Sequence, residues 1–284
     1  MNSNMRSLVA YFSLARPLNV LLAFIAICLA GIIAGVAAPD FGRLTLAGIV
    51  GMALTAAANA MNDILDVEID RVNKPERALV RGDISIQAVW MFTIVNAAIG
   101  LTISWFLSLT LFIITATSFL VICLYNRYLK RIPLIGNIVV GMVTGTAFLF
   151  GAEVAGAMSA GIPLAVMAFI FTVARELLKD IEDIEGDQLS GLRTFPIVYG
   201  IPHSLKLIDV FFCLVIVSSA LPYLLHWYSI WYFILVIAGV DLVLCYSMLK
   251  LHRDSSRASL RRISSILKFD MFMGMIAVYI GSFH

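Results

Sequence analysis

Long apolar segments, separated by short polar connectors, constrain the fold of this chain more than any other feature. A helix that crosses about 30 Å of hydrocarbon needs roughly 20 apolar residues. Segments near that length are predicted at Asn19–Ala38, Leu44–Ala60, Ile86–Leu107, Leu109–Tyr125, Leu134–Phe150, Ile162–Val173, Ser204–Leu225, Ile230–Leu249 and Ile263–Ser282. Only 13% of the residues are charged, against about a quarter in soluble domains. We therefore predict an all-α membrane protein whose nine transmembrane helices form one bundle.

The positions of the basic residues predict the orientation of these helices. Short cytoplasmic loops of membrane proteins carry an excess of Lys and Arg. With a cytoplasmic N-terminus and nine crossings, 19 of the 20 Lys and Arg residues lie on the cytoplasmic side, and only Arg43 lies outside. The first apolar run is longer than the core of a signal peptide, so we interpret it as the first transmembrane helix.

Most of the acidic residues lie in two short windows, residues 62–83 and residues 176–187, which hold 12 of the 18 acids. Both windows follow spans that run in the same direction, so both are predicted at the cytoplasmic face, where the ends of helix dipoles add negative potential. Many acidic loop residues are simply solvated, and surface ion pairs contribute little stability. For individual acids we favour that simple role at Glu68, Glu76, Asp83, Glu182 and Glu185.

A repeated four-residue spacing distinguishes the remaining acids. Asn62, Asp66 and Asp70 would project from one face of a helix that continues the second span, and Asp183 and Asp187 repeat the step after the sixth. Like charges at this spacing repel each other, which indicates a compensating cation. Mg²⁺ binds a few carboxylates and fills its other positions with water and phosphate oxygens. These five residues are therefore the predicted metal ligands, and the metal is predicted to be Mg²⁺.

Basic side chains are predicted in the same cytoplasmic layer, where they would bind the anionic groups of a substrate. They are Lys74, Arg77, Lys130, Arg131, Arg175 and Lys179. The four cysteines lie singly in apolar segments, which supports neither a zinc site nor a disulfide framework. Asp241 lies within an apolar span, where a functional role competes with simple pairing to a neighbouring helix, and it is left unassigned.

These motifs resemble those of the UbiA superfamily of intramembrane prenyltransferases. The segment 62–75 looks like the first aspartate motif of that superfamily, and the segment 175–187 looks like the second. Residues 191–196 are similar to the stretch that follows the second motif, and residues 16–19 are similar to the entry of the first helix. The resemblance implies that residues 1–284 form a single UbiA-like domain with nine helices, a cell-membrane location and an active site that faces the cytoplasm.

The resemblance also implies roles for individual residues. Mg²⁺ would help an isoprenyl diphosphate to ionise, while the allylic chain lies in an apolar tunnel between helices. The implied catalytic residues are Asp66, Asp183, Tyr125 and Lys130. The implied substrate-binding residues are Asn19, Lys74, Arg77, Lys130, Arg131, Arg175 and Lys179. One departure concerns Asn126, which stands where the family commonly has Tyr, so that Tyr125 lies one position early.

The acceptor is predicted from two further segments. Residues 129–137 and 179–183 resemble archaeal digeranylgeranylglyceryl phosphate synthases, which join geranylgeranyl diphosphate to the hydroxyl of geranylgeranylglyceryl phosphate. The expected partners are thus an isoprenyl diphosphate, a phosphorylated lipid-like acceptor and membrane lipids, with no nucleic acid. An aromatic, quinone-precursor or chlorophyllide acceptor remains open, as does the acceptor of the hydroxyl proton, a carboxylate such as Asp66 or the released pyrophosphate.

A cation transporter is the alternative from another functional class. Transporter carboxylates usually lie near the middle of the bilayer, on broken helices. The two acidic windows are instead predicted at one face of the membrane, which favours the enzyme. The chain length of the prenyl donor and the oligomeric state do not follow from the sequence.

Overall fold

The computed structural model describes residues 3–35 and 40–283, and every regular element in those residues is helical. The α-helices are α1 (Ser3–Ala15), α2 (Pro17–Ala34), α3 (Phe41–Leu65), α4 (Val67–Asn73), α5 (Ile86–Leu107), α6 (Leu109–Arg127), α7 (Ile135–Val154), α8 (Ile162–Glu182), α9 (Ile184–Leu189), α10 (Phe195–Tyr199), α11 (Ile201–Leu224), α12 (Ile230–Val236), α13 (Leu242–Arg253) and α14 (Arg257–Gly281). Short 3₁₀ turns occupy Leu129–Arg131 and Met158–Gly161, and a π-helical turn, Ile237–Asp241, joins α12 to α13.

Nine helical segments in the described ranges are long and apolar enough to cross a membrane, which confirms the predicted number. The protein is a multi-pass membrane protein. The predicted last residues of the first span, 36–38, lie outside the described residues. The second and sixth spans, Phe41–Leu65 and Met158–Glu182, extend beyond their apolar runs into the acidic windows. Both extensions place polar residues on the ends of membrane-spanning helices.

The described helices divide into two compact units. The first takes in the chain as far as Arg131, together with Thr146–Ile162 and Glu185–Leu192, and the second takes in Ile132–Gly145, Pro163–Ile184 and the chain from Arg193 onward. Helix α7 therefore begins in the second unit and ends in the first. Each unit has its own buried apolar residues.

Helix α3 is the central helix of the first unit and packs against both α2 and α5. Small residues on α3 allow the close approach, in the manner of helix pairs that associate in lipid. Ala47 and Ala57 are fully buried, and a Cβ at Gly48 would collide with the ring of Phe24 on α2. This tight packing fixes the helix whose C-terminal end carries the first acidic motif.

The second unit is built from α8, the first half of α7, and the helices that follow α10. Glycines on α7 allow α8 to approach closely, since a Cβ at Gly145 would lie 2.7 Å from the carbonyl oxygen of Ala165. Val173, Ala174 and Leu177 on α8 are fully buried. The packing of α8 thus fixes the helix that carries most of the second acidic motif.

Candidate functional site

The first acidic motif lies where α3 gives way to α4. Asp66 separates the two helices, with φ −105° and ψ 11°, so the predicted continuous helix is interrupted at one residue. The hydrogen bonds nevertheless continue, because the Asp66 N–H donates to the Asn62 carbonyl at 2.9 Å and the Asp70 N–H donates to the Asp66 carbonyl at 2.8 Å. The three predicted ligands therefore remain about one helical turn apart.

Two arginines neutralise the buried acids of this motif. Arg77 contacts the Asp70 carboxylate, and its Nη1 lies 2.9 Å from Oδ1 of Asp63. Nη2 of Arg16 lies 2.5 Å from the same oxygen of Asp63. Asp63 thus ties the segment before α2 to the loop after α4. The sequence analysis did not include Asp63 or Arg16 in the site. The feature that could have indicated them is the presence of an acid and a base beside apolar spans.

The loop that carries Arg77 is held by apolar packing. Its next two residues, Ala78 and Leu79, are buried in a cluster with Leu14 of α1 and with Ala60 of α3. The Asn59 side chain also donates to the Ala15 carbonyl at 3.0 Å, which ties α3 to the end of α1. The loop therefore presents the Arg77 guanidinium to the carboxylates from a fixed backbone.

Burial makes the Asp70 carboxylate expensive to ionise. Burial raises its pKa to about 6, while the charges of Arg77 and Lys74 act in the opposite direction and those of Asp66 and Asp63 add to the rise. The charged form of Asp70 is therefore only partly compensated by its neighbours. Additional positive charge at this position would stabilise it further.

Lys130 brings a second segment of the first unit to the motif. It follows α6 in the 3₁₀ turn Leu129–Arg131, and its Nζ contacts Oδ1 of Asp66. Tyr125 is half-buried near the end of α6. Its neighbour Asn126 is buried, donates to the Ile122 carbonyl at 3.0 Å, and has no hydrogen-bond partner for Oδ1 within the described residues. The structure thus brings the predicted residues Lys130 and Asp66 together.

The second acidic motif repeats the backbone arrangement of the first. Asp183 lies between α8 and α9, as Asp66 lies between α3 and α4. The Asp183 N–H donates to the Lys179 carbonyl at 2.9 Å, so the hydrogen-bonding pattern of α8 continues to the break. In both motifs a membrane-spanning helix therefore ends one residue before an acid, and a short helix follows.

The end of the second motif belongs to the first unit and contacts the first motif there. The Gly186 N–H donates to Oδ1 of Asn73 at 3.1 Å, and Asn73 is only 2% exposed. A Cβ at Gly186 would lie 2.6 Å from Cγ of Asn73, so only glycine allows this approach. Asp187 is buried next to Gly186. The contact brings Asp187 to the part of the first unit that carries Asp70, three residues before Asn73.

The basic residues of α8 pair with an acid on the same helix. Glu176 is buried, with Oε1 3.1 Å from Nη1 of Arg175 and Oε2 2.7 Å from Nζ of Lys179. One turn further, Asp180 accepts a hydrogen bond of 2.8 Å from Nδ2 of Asn137 on α7. The predicted substrate-binding residues Arg175 and Lys179 therefore lie together, and Glu176 is the residue that holds them, which the sequence analysis missed.

The other predicted site residues lie near these groups in sequence. Asn19 is half-buried in the first turn of α2, and Lys74 is half-buried at the C-terminal end of α4. Arg131 is exposed at the end of its 3₁₀ turn. The acids expected to form simple ion pairs do so in three cases, with 3.5 Å or less between charged atoms: Glu68 with Arg71, Asp83 with Arg81, and Glu182 with Arg261.

The carboxylate and amide oxygens of the first unit are of the kind that a hard divalent ion binds. Within residues 3–35 and 40–283, no three His, Cys, Asp or Glu side chains converge as a ready metal site. Lys130 and Arg77 instead contact Asp66 and Asp70. Mg²⁺ commonly uses one or two carboxylates and completes its shell with water and phosphate oxygens. Asn62, Asp66, Asp70 and Asp187 supply such oxygens without forming a closed cage.

Comparison with known proteins gives a family match and similar proteins that cover nearly the whole chain. The model of the UbiA prenyltransferase family matches residues 20–276. The chain is 35% identical over 273 residues to the digeranylgeranylglyceryl phosphate synthase of Thermococcus kodakarensis, covering 96% of this chain and 98% of that protein. It is 35% identical over 272 residues to the protein of the same name from Methanothermobacter thermautotrophicus, covering 96% and 95% of the two chains.

Solved structures share the fold. One, from work on a digeranylgeranylglyceryl phosphate synthase in membranes, has a TM-score of 0.76 at 32% identity and covers 97% of this chain and 98% of its own. A UbiA homologue from Archaeoglobus fulgidus, bound to DMAPP and Mg²⁺, has a TM-score of 0.66 at 17% identity and covers 94% and 98% of the two chains. At that identity the second likeness concerns the fold alone.

The contact between Gly186 and Asn73 is expected to contribute to stability. Asn73→Ala leaves the Gly186 N–H buried without this acceptor, which should lower the free energy of unfolding by about 1–3 kcal/mol. Gly186→Ala should cost a similar amount, because its Cβ displaces the Asn73 side chain. The two changes should not add, since Ala at position 73 leaves room for the new methyl group. The free energy of unfolding in detergent, measured for the unmodified protein, the two single variants and the double variant, tests this prediction.

The matched control is Ser190→Ala, an exposed position four residues from Gly186, which should change the free energy of unfolding by less than about 0.5 kcal/mol. If Asn73→Ala is as stable as this control, or if the two changes add fully, the contact does not join the two motifs.

Proposed function

The chain belongs to the UbiA prenyltransferase family, and we propose that it transfers a geranylgeranyl group from geranylgeranyl diphosphate to the free hydroxyl of geranylgeranylglyceryl phosphate. The similarity to two archaeal synthases over nearly the whole of each chain carries this proposal. In the reaction, the bond between C1 of the prenyl chain and the diphosphate oxygen breaks. The acceptor oxygen then forms an ether bond to C1, and pyrophosphate leaves. The product is a lipid of archaeal ether-lipid synthesis.

We propose that Asn62, Asp66, Asp70, Asp183 and Asp187 hold Mg²⁺. The ion, when bound, neutralises the charge that develops on the departing pyrophosphate. The contact between Gly186 and Asn73 supports the inclusion of Asp187, because it fixes the backbone next to that carboxylate. Asp183 is included because its four-residue step to Asp187 repeats the step from Asp66 to Asp70.

Lys130 and Arg77 are the proposed partners of the diphosphate within the first motif. Both now contact the carboxylates that would hold the ion. If those carboxylates held the ion instead, Lys130 and Arg77 would be available for phosphate oxygens, which are strong acceptors of charged hydrogen bonds. In this proposal the two basic groups neutralise the carboxylates before the ion and the substrate bind, and they bind the substrate phosphates afterwards. Lys74 and Arg131 are proposed to add positive charge nearby.

Arg175 and Lys179 are the proposed partners of a phosphate group on the α8 side. Glu176 orients both basic groups and offsets one of their two charges. Asn19 is proposed to bind substrate as well. The Tyr125 ring is proposed to face the positive charge on C1 during transfer, as aromatic faces do with cations. The hydroxyl proton leaves to a basic oxygen at the site, on Asp66 or on the released pyrophosphate.

Substitution of the acidic residues tests the proposed function. Purified protein with Mg²⁺ and radiolabelled geranylgeranyl diphosphate should label geranylgeranylglyceryl phosphate in preference to an aromatic acid acceptor. Asp66→Ala or Asp183→Ala should reduce this transfer by about 100-fold or more, because electrostatic stabilisation of the leaving group is lost. Extraction of labelled lipid product measures the transfer.

Glu68→Ala provides the control, since Glu68 is exposed and forms only a surface pair with Arg71. It should retain the rate of the unmodified protein. Wild-type turnover in Asp66→Ala or in Asp183→Ala would remove that residue from the site. Transfer to the aromatic acid alone would reject the proposed acceptor while leaving the family intact.

Removal of the metal tests the proposed cofactor separately. EDTA should stop product formation, and excess Mg²⁺ should restore it, because the carboxylates can then bind the ion that accompanies the diphosphate. Na⁺ added at the same ionic strength should not restore it. Product formation at an unchanged rate in EDTA would refute the metal-dependent mechanism.

We also propose that residues 1–284 work as one UbiA-like domain, with a cytoplasmic N-terminus and an active site that faces the cytoplasm. The family match over residues 20–276, which includes segments of both compact units, supports the single domain. The concentration of Lys and Arg in alternate connectors supports the orientation.

Cysteine labelling in intact cells tests this orientation. In a variant without native cysteines, Ser159→Cys and Trp227→Cys should react with a membrane-impermeant maleimide added outside, whereas Glu76→Cys and Ser255→Cys should react only after permeabilisation. Glu76, Trp227 and Ser255 lie between spans, and Ser159 lies in the 3₁₀ turn that begins the sixth span. The reverse labelling pattern would invert the proposed orientation.

A further inference from the structure

Two carboxylic acids lie near the middle of the last two spans. Asp241 belongs to the span Ile230–Arg253, and Asp270 belongs to the span Arg257–Gly281. At the rise of an α-helix, they are roughly 17 Å and 20 Å from the first residues of these spans. Asp241 is 9% exposed and Asp270 is 2% exposed. The second unit therefore holds two carboxyl groups at a depth where lipid surrounds the protein.

A hydrogen-bonded group surrounds Asp241. Oγ of Ser219, on α11, lies 3.1 Å from both oxygens of its carboxylate and 2.7 Å from the Ile216 carbonyl oxygen, so its single proton can be donated to either partner. The Tyr232 hydroxyl donates to the Ser219 carbonyl at 2.8 Å. Ser219 and Tyr232 are fully buried. Asp241 ends the π-helical turn Ile237–Asp241, a kind of distortion that is frequent at functional sites.

Asp270 is different, because neither of its carboxylate oxygens has a hydrogen-bond partner within the described residues, although both are buried. Its electrostatic neighbour is Asp241, a group of like charge. In residues 3–35 and 40–283, neither acid forms an ion pair with Lys, Arg or His; the nearest ion pairs in sequence are that of Lys250, for Asp241, and that of Arg261, for Asp270. Burial of an unpaired carboxylate costs several kcal/mol, so its retention needs a compensating group.

Protonation of Asp270 would also remove this charge, but a neutral Asp270 would bind no metal cation, so the salt dependence of unfolding distinguishes the two. A metal cation, in contrast, satisfies several oxygens at once and offsets charge. The oxygens of Asp270, Asp241 and Ser219 are hard ligands, which alkali cations prefer.

We propose that Asp241, Asp270 and Ser219 bind one monovalent metal cation that has lost most of its hydration shell. The ion offsets the charge of Asp270, while the bond from Ser219 stabilises the charge of Asp241. A Mg²⁺ ion is a poorer fit, because it dehydrates reluctantly and keeps several waters. Bound in this way, the ion joins α11, the π-helical turn and α14 at mid-membrane.

The site is independent of the proposed transfer reaction and is expected to act on stability. A ligand that binds the folded state alone raises the unfolding temperature in proportion to the logarithm of its concentration. The full-length protein in detergent and EDTA should unfold about 5 °C higher in NaCl or KCl than in choline chloride at equal ionic strength. Choline is too large to enter the buried site.

Asp270→Asn and Asp241→Asn should lose this salt-specific shift. Asp209→Asn should keep it, because Asp209 lies on the same unit but pairs with His252 at a more exposed position. Ser219→Ala, which removes only one neutral ligand, should reduce the shift. Equal unfolding temperatures in the three salts, or an undiminished shift in Asp270→Asn, would overturn the proposal.

Equilibrium binding of radioactive Na⁺ gives a second readout that does not depend on unfolding. The unmodified protein and Asp209→Asn should bind about one ion that excess KCl displaces, and Asp270→Asn should bind none. Absence of binding to the unmodified protein, or equal binding to Asp270→Asn, would also overturn the proposal.

Discussion

The hydrogen bond from the Gly186 backbone to the Asn73 side chain is the contact on which the arrangement of the acidic residues depends. Asn73 ends α4, the short helix that carries Asp70 of the first motif, and Gly186 lies between Asp183 and Asp187, the two predicted ligands of the second motif. The bond spans 113 residues of chain and is buried. Because a buried N–H needs an acceptor, Asn73 fixes the backbone position of α9. It thereby fixes the backbone from which the Asp187 side chain extends.

Charge compensation is the second constraint on the site. Carboxylates at the ends of apolar helices are costly unless they are paired. Asp63 contacts Arg16 and Arg77, Asp66 contacts Lys130, and Asp70 contacts Arg77. These bases come from the loop after α4, the segment before α2 and the turn after α6. Within the described residues this pairing is seen without a preformed metal cage. In the proposed site an ion and an anionic substrate would bind together, since each would compensate groups that the other displaces.

Much of this architecture follows from the sequence, because lipid imposes a length and a hydropathy on each span. The bounds of the span Ile86–Leu107 are predicted to the residue, since polar residues flank its apolar run. The four-residue spacing of the motifs likewise predicts helical acids on a common face. The break at Asp66 is not predictable in this way, because it depends on how the loop with Arg77 packs against α1 and α3. The role of Asn73 depends on a partner distant in the chain, so no local pattern indicates it.

The two kinds of carboxylate in this protein also differ in how sequence reveals them. Acids at the ends of spans form visible clusters, whereas Asp241 and Asp270 are single polar residues in separate apolar segments, 29 positions apart. The packing of α14 against α12, α13 and the π-helical turn brings their helices together. Carboxylates near the middle of the bilayer are usual in transporters, where they line the path of an ion. Here Asp270 is 2% exposed, which favours a bound ion that stabilises the helices over an ion that passes between them.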